Sequence, residues 1–375
     1  MTTLDKLRGA KNIMFVNHHL AMGDAALLSP IFKTVKDNLP DTSISVLTRH
    51  YALDFVRAIP SVDDVADIES VMKTSDDNSY RLKIYKLFQL VSFFRRHGCD
   101  FIMLRNDRRI PHTKKLRLAG KLSGAGIISI SPYLEKHMNK SRHIVETYYS
   151  ILQDMGFNVR EKGKLYISLS PDNKKFAGNY LKGKGIINTA DRIIGISPTS
   201  NLKVKNWNSK NVAELCENMR GKAKVIVFTT DRNVIEEISE LTKVAPVFVG
   251  RMEFGDLLGL LSFCDVFVGV DTGPTHVAAA LGVPAIGLYG PTSGTIAGPY
   301  GKNCLFIQAE TDCPVYNPLA LFSPLETLQD CYVNDRCLRR DTNCVDAIGA
   351  EEVTEKAIWL LNANSSNNNM IPGKN

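Results

Sequence analysis

Residues 265–301 read DVFVGVDTGPTHVAAALGVPAIGLYGPTSGTIAGPYG, and this stretch decides the fold. Val266–Val270 is a short unbroken run of apolar, mostly β-branched residues, as expected of a strand buried on both faces. Thr272-Gly273-Pro274-Thr275 then supplies the chemistry of a helix start, because hydroxyls cap free amides and proline is tolerated in a first turn. The helix near Thr275–Leu281 carries Ala278, Ala279 and Ala280, small enough for close packing on a sheet. A second buried run, Ala285–Leu288, follows, and the glycine-rich loop Leu288–Gly301 comes after it. Strand, turn, helix and strand at this spacing predict parallel strands joined by a right-handed crossover.

The alternation extends in both directions. Further strands are expected at Ile193–Ser197, Lys224–Phe228, Val247–Val249 and Cys304–Ile307, with helices near Lys210–Arg220, Val234–Thr242 and Phe254–Ser262. An earlier series has strands at Asn12–Asn17, Ile44–Leu47, Val65–Ile68, Phe101–Leu104 and Ile127–Ser131, with helices near 24–38, 81–96 and 114–123. The expected class is α/β, with two doubly wound, Rossmann-like parallel-sheet domains facing a cleft. The expected division is a first domain over 1–170, a linker over 171–190 that is partly a helix ending in a connector, a second domain over 191–348 and a C-terminal helix over 349–362. The Asn- and Ser-rich stretch 363–375 reads as a disordered tail. No internal repeat is evident.

Composition agrees with two cores. The chain has 375 residues, 44% of them apolar and 23% charged, which excludes a disordered, collagen-like or disulfide-stapled chain. Its 46 basic and 39 acidic residues leave a modest +7, without the concentrated stripe of a nucleic-acid binder, so no nucleic-acid partner is expected. No apolar stretch is long enough for a membrane span. The apolar run around Ile13–Val16 is too short for a signal-peptide core, so a cytoplasmic location is expected, with cysteines held mainly as thiols.

In open α/β sheets ligands gather beyond the carboxyl ends of the strands, and four loops there carry polar groups. Asn17–Asp24 ends with Gly23 and with Asp24, where a helix N-cap belongs; the carboxylate reads either as a cap or as a general base. Ser197–Trp207 (SPTSNLKVKNW) offers Thr199, Ser200, Lys203 and Lys205, which suits a phosphate or a solvated basic loop. Asp271–His276 combines a carboxylate, a helix start and an imidazole, more than capping alone requires. Leu288–Gly301, with Thr292, Ser293 and Thr295, can bring amides close to a diphosphate.

These residues resemble those of a known family. DTGPTHVAAALGVPAIGLYGPTSGTIAGPYG is similar to the C-terminal signature of the ADP-heptose:lipopolysaccharide heptosyltransferases, glycosyltransferase family 9. LAMGDAALLSPIFKTVKDNLPDTSISVLTR resembles the N-terminal signature, and PTSNLKVKNW its Lys-x-Trp loop. The resemblance covers about residues 12 to 301. It implies the GT-B fold, with acceptor on the N-terminal half and nucleotide-sugar on the C-terminal half, and an inverting, metal-independent transfer. By position it makes Asp24 the catalytic base and Lys205 the lysine that steadies the departing diphosphate. It likewise places Asp271, Thr272, Gly273 and His276 in the donor-binding turn and Arg251 and Met252 at the adenine. Thr199, Ser200 and the candidate ribose carboxylate Asp231 complete the donor set. The implied donor is ADP-heptose, a substrate, with no cofactor required.

On the acceptor side the expected residues are Met22, Gly23, Arg105, Arg108 and Arg109; by charge alone the arginines suit either the phosphates and acidic sugars of an inner-core lipopolysaccharide or a solvated basic loop. The implied partner is therefore an anionic glycolipid at the inner membrane surface, with peripheral attachment of the protein there. Cys313, Cys331, Cys337 and Cys344 lack the close Cys-x2–4-Cys pair of most structural zinc sites. Free thiols are the expectation for them, with a structural metal or a disulfide as the alternative. The alternative functions are a transferase of this fold with another donor sugar or acceptor, a nucleotide-sugar epimerase, and a binding protein without turnover.

Overall fold

The computed structural model describes residues 1–16, 22–72, 80–104, 113–186, 191–310, 313, 316–317, 330–338 and 341–367. Two compact units are present: the described residues of 1–162 with 166–168 form one, and those of 163–165, 169–317 and 330–367 form the other. Among the described residues the first unit has strands β1 (Asn12–Val16), β2 (Ser43–Thr48), β3 (Asp64–Asp67), β4 (Phe101–Leu104) and β5 (Gly126–Ser129). They form a sheet of order β3-β2-β1-β4-β5, parallel throughout. The second unit has β6 (Ile193–Ser197), β7 (Lys224–Phe228), β8 (Val247–Val249), β9 (Val266–Val270), β10 (Ala285–Tyr289) and β11 (Cys304–Gln308). Their order is β11-β10-β9-β6-β7-β8, again parallel. Both units are doubly wound, and the expected α/β class is borne out.

Ten described helices reach eight residues. They are α1 (Met22–Asn38), α2 (Tyr80–Arg96), α3 (Thr113–Ser123), α4 (Ile144–Asp154), α5 (Pro171–Gly183), α6 (Ser209–Asn218), α7 (Arg232–Leu241), α8 (Phe254–Ser262), α9 (Gly273–Ala280) and α10 (Ala350–Asn367). In the second unit β6, β9 and β10 are buried at every position, which is why they appear in sequence as unbroken apolar runs. Val353, Ala357, Leu360 and Leu361 of α10 complete that core, and the helix runs on to Asn367, past the boundary at which a tail was expected.

The stretch expected as a linker, 171–190, opens with α5. That helix buries Ala177 and Leu181, spaced four residues apart on one face, and belongs to the second unit. It packs on α8 so closely that a Cβ on Gly259 would lie 2.3 Å from the Asn173 carbonyl oxygen. Asn173 also donates to Asp256 at 3.2 Å. Lysines on its outer face hide this amphipathic pattern in the sequence.

In α1, Pro30 cannot donate to the carbonyl of Ala26. The Ser29 hydroxyl does so instead, at 2.7 Å, while accepting from the amide of Tyr166 at 2.9 Å. The helix thus tolerates its proline. It begins at Met22, so Asp24 stands within its first turn rather than at the N-cap position that Gly23-Asp24 had suggested.

Both sheets reverse their order beside the first strand, between β1 and β4 and between β6 and β9. Loops leaving neighbouring strands diverge at such a point and open a crevice for ligands.

Candidate active site

In the second unit the switch point is formed by the loop after β6 and the turn after β9. Beyond β6 the chain makes a turn over Lys203–Lys205. Trp207 anchors its far side, buried and donating its indole N–H to the Ile348 carbonyl at 2.9 Å. Asn206 accepts from the Ser200 amide at 2.8 Å, which closes the loop on itself. So held, Lys205 reaches the end of β9, where its Nζ donates to the Asp271 carboxylate at 3.0 Å and to the Asp271 carbonyl at 3.1 Å.

The side chains of Lys205 and Asp271 are only 15% and 14% exposed. Burial pushes the Asp271 carboxyl up, but the Lys205 ammonium and then His276 outweigh it and hold the group well below the ordinary carboxylate range. His276, itself 3% exposed, brings Nε2 to 3.6 Å from the same carboxylate. Its Nδ1 is buried without a hydrogen-bond partner among the described residues. A buried polar atom left in that condition is uncommon and marks a place where a ligand can supply the missing contact.

The turn that carries Asp271 is shaped by one glycine. The Thr275 hydroxyl donates to the Val270 carbonyl at 2.8 Å, and a Cβ on Gly269 would lie 2.2 Å from that hydroxyl oxygen. Among the described residues no side chain caps α9: Thr272 occupies the N-cap position without using its hydroxyl there. The helix start therefore offers amide dipoles to an anion beside Lys205.

The remaining donor candidates separate by what they touch. Thr199 shares a hydrogen bond with Thr229 at 3.0 Å, joining the ends of β6 and β7. Ser200 uses its hydroxyl locally, donating to Leu202 O at 2.9 Å and accepting from Leu202 N at 3.0 Å. Asp231 caps α7, accepting from the amide of Asn233 at 3.1 Å. Arg251 and Met252 follow β8, the first exposed and the second half-buried. The structure thus brings Lys205, Asp271 and His276 together at the switch point, with Thr272 and Gly273 beside them on the same turn.

In the first unit Met22 and Gly23 are half-buried and Asp24 is exposed, all in the first turn of α1. Arg105, Arg108 and Arg109 lie outside the described residues.

Tyr332 is absent from the sequence-derived set. It belongs to a five-residue helix, Asp330–Asn334, and its ring centroid lies 5.7 Å from Lys205 Nζ. No motif or periodicity surrounds it. Nearby, Cys344 is pushed up to about 11 by burial and by the proximity of Cys331 and Cys337. Among the described residues no group of three or more His, Cys, Asp or Glu side chains is arranged to hold a metal ion.

The chain's similarities agree with this geometry. The family model described as glycosyltransferase family 9 (heptosyltransferase) matches residues 109–315, more than half of the chain. The chain belongs to this family. Among the family 9 relatives is lipopolysaccharide heptosyltransferase 3 of Escherichia coli, 23% identical over 297 residues that cover 76% of this chain and 85% of the relative. A family 9 glycosyltransferase structure from Veillonella parvula DSM 2008 is 18% identical with a TM-score of 0.74, covering 94% of this chain and 98% of that one. E. coli ADP-heptose LPS heptosyltransferase II is also 18% identical, with a TM-score of 0.65 and coverage of 95% and 99%. These structures share the fold, the GT-B plan of two doubly wound units. The chain is a family 9 glycosyltransferase of the heptosyltransferase kind, and the expected enzyme class is borne out.

Proposed function

We propose that this family 9 enzyme transfers heptose from ADP-heptose to an inner-core lipopolysaccharide acceptor in a single, inverting displacement without a metal ion. The acceptor hydroxyl attacks the anomeric carbon, its proton passes to the Asp24 carboxylate, and the bond from that carbon to the β-phosphate oxygen breaks. Negative charge then grows on the departing ADP. Lys205 and the uncapped start of α9 supply the opposing charge, in a corner dry enough to make it effective. His276 Nδ1 and the Thr272 hydroxyl remain available to donor oxygens, while Arg251, Met252 and Asp231 are assigned to the nucleoside.

The observation that carries this reading is the Lys205–Asp271–His276 cluster at the β6/β9 switch point. Family membership supports heptose as the sugar, and relatives named lipopolysaccharide heptosyltransferases support lipopolysaccharide as the acceptor. Arg105, Arg108 and Arg109 are assigned to the acceptor's anionic groups. We place the reaction at the cytoplasmic face of the inner membrane, with the protein bound peripherally; no described helix is long and apolar enough to cross a membrane.

The test is release of ADP from ADP-heptose with truncated lipopolysaccharide acceptors, in the presence of EDTA. Asp24→Ala is expected to lower turnover by about 10²–10⁴-fold, the usual contribution of a positioned base, with ADP affinity retained. Wild-type turnover in that variant would remove Asp24 from the mechanism. Donor consumption without acceptor would point instead to an epimerase.

A further inference from the structure

We propose that Tyr332 is a positioning residue for Lys205, and that the stretches 330–338 and 341–347 brace the diphosphate-binding loop in place. The proposal rests on the donor-site reading of Lys205 and assigns a task to the C-terminal segment, which that reading leaves without one.

The first observation is the ring itself. Its centroid lies 5.7 Å from Lys205 Nζ, within the range at which an aromatic face attracts an ammonium group. The lysine is mostly shielded from water, which strengthens that attraction. A lysine side chain loses much rotamer freedom when fixed, so a second contact besides Asp271 narrows where Nζ can stand.

The second observation is that the same segment grips the loop's backbone. Asp335 accepts from the Val204 amide at 3.2 Å, and Asn343 donates to the carbonyls of Lys203 at 2.9 Å and Asn206 at 3.0 Å. Asp346 accepts from the Asn208 amide at 2.9 Å. Asp335 adopts φ 49°, a left-handed conformation in which a non-glycine residue is held by its surroundings. Gly290 lets the brace approach the end of β10, since a Cβ there would lie 2.8 Å from Cys344 Sγ and from the Val345 amide nitrogen.

The third observation separates ring from hydroxyl. The Tyr332 hydroxyl is buried with the Thr292 hydroxyl as its neighbour and makes no hydrogen bond to Lys205. The ring therefore carries the interaction. Leucine in its place keeps an apolar side chain but removes the π face, whereas phenylalanine keeps the face.

The experiment is a double-mutant cycle over wild type, Tyr332→Leu, Lys205→Ala and the double variant, with Tyr332→Phe as the conservative control. Two readouts are taken: thermal melting of the ligand-free protein and ADP affinity by calorimetry. Tyr332→Leu is expected to weaken ADP binding about 3–30-fold, corresponding to a cation–π contact. Tyr332→Phe should bind ADP as wild type does. In the Lys205→Ala background Tyr332→Leu should add little to either readout. Equal loss in the Phe and Leu variants, or fully additive effects in the cycle, would overturn the proposal. Absence of ADP binding by wild-type protein would overturn the donor reading instead, and the ligand-free melting cycle would still decide the role of Tyr332.

Discussion

The two units share a strand plan and, at one point, a side-chain device. Before β4 stands Cys99-Asp100, and before β9, its topological counterpart, stands Cys264-Asp265. Asp265 donates its amide to the Ile193 carbonyl and accepts the Ile193 amide on its carboxylate, each at 2.8 Å. Asp100 repeats this with Asn12, its amide donating at 3.0 Å and its carboxylate accepting at 3.0 Å. Each aspartate thereby sets the register of the fourth strand against the first. Both preceding thiols are buried, and burial lifts that of Cys99 to about 12. At the opposite ends of the same strands the likeness stops. β9 runs into Asp271-Thr272-Gly273, a turn built around an ion pair, whereas β4 runs into the basic sequence Arg105-Asn106-Asp107-Arg108-Arg109. Strand starts are conserved between the halves of this molecule where they hold the fold, and strand ends differ where the chemistry differs.

The comparison breaks first at Lys205. Its replacement by Ala should lower turnover by about 10²–10³-fold, as loss of a charge-stabilising group does, in an assay of ADP release. If turnover survives, the exit of β9 is no more chemical than its start. Next is the ion pair's stability. Because the Asp271 carboxyl titrates below its unfolded value, its stabilisation is full above about pH 4 and is lost as the pH falls further. Asp271→Asn should therefore destabilise the protein by on the order of 2–4 kcal/mol at pH 7, with the gap to wild type narrowing toward pH 3 in denaturant titrations.

A smaller effect is expected at the strand starts. Asp100→Ala and Asp265→Ala should each cost about 1 kcal/mol and leave ADP affinity unchanged, and similar losses in the two variants would sharpen the parallel between the units. The smallest effect belongs to the exit of β4. Arg105→Glu with Arg108→Glu should raise acceptor KM by about 3–10-fold at low salt and by less as salt screens the contact. An unchanged KM would remove these arginines from the acceptor site.

The fold was legible because buried parallel strands leave uninterrupted β-branched runs; Val266–Val270 and Lys224–Phe228 have in the structure the bounds expected for them. The helix α5 was legible as a helix within a connector, but not as part of the second unit, since only Ala177 and Leu181 turn inward and its remaining surface is basic. Lys205, Asp271 and His276 could be selected because each follows a strand and stands in a recognisable motif. Tyr332 could not be, as it lies in an aperiodic, cysteine-bearing segment and reaches Lys205 only through tertiary packing. The paired Cys-Asp steps also escape a search for repeats, because the shared constraint falls on two positions rather than on a long stretch.

The Lys205–Asp271 contact gives the ligand-free site an anion of its own. On the proposed function, a diphosphate that arrives there exchanges one counter-ion for another, so its affinity is a difference between two ion pairs and not the full strength of either. On that proposal the same carboxylate stays tethered beside the lysine after transfer. It competes with the spent nucleotide at an effective concentration that dilution does not change. A site built in this way trades tight retention of product for readiness to begin the next cycle.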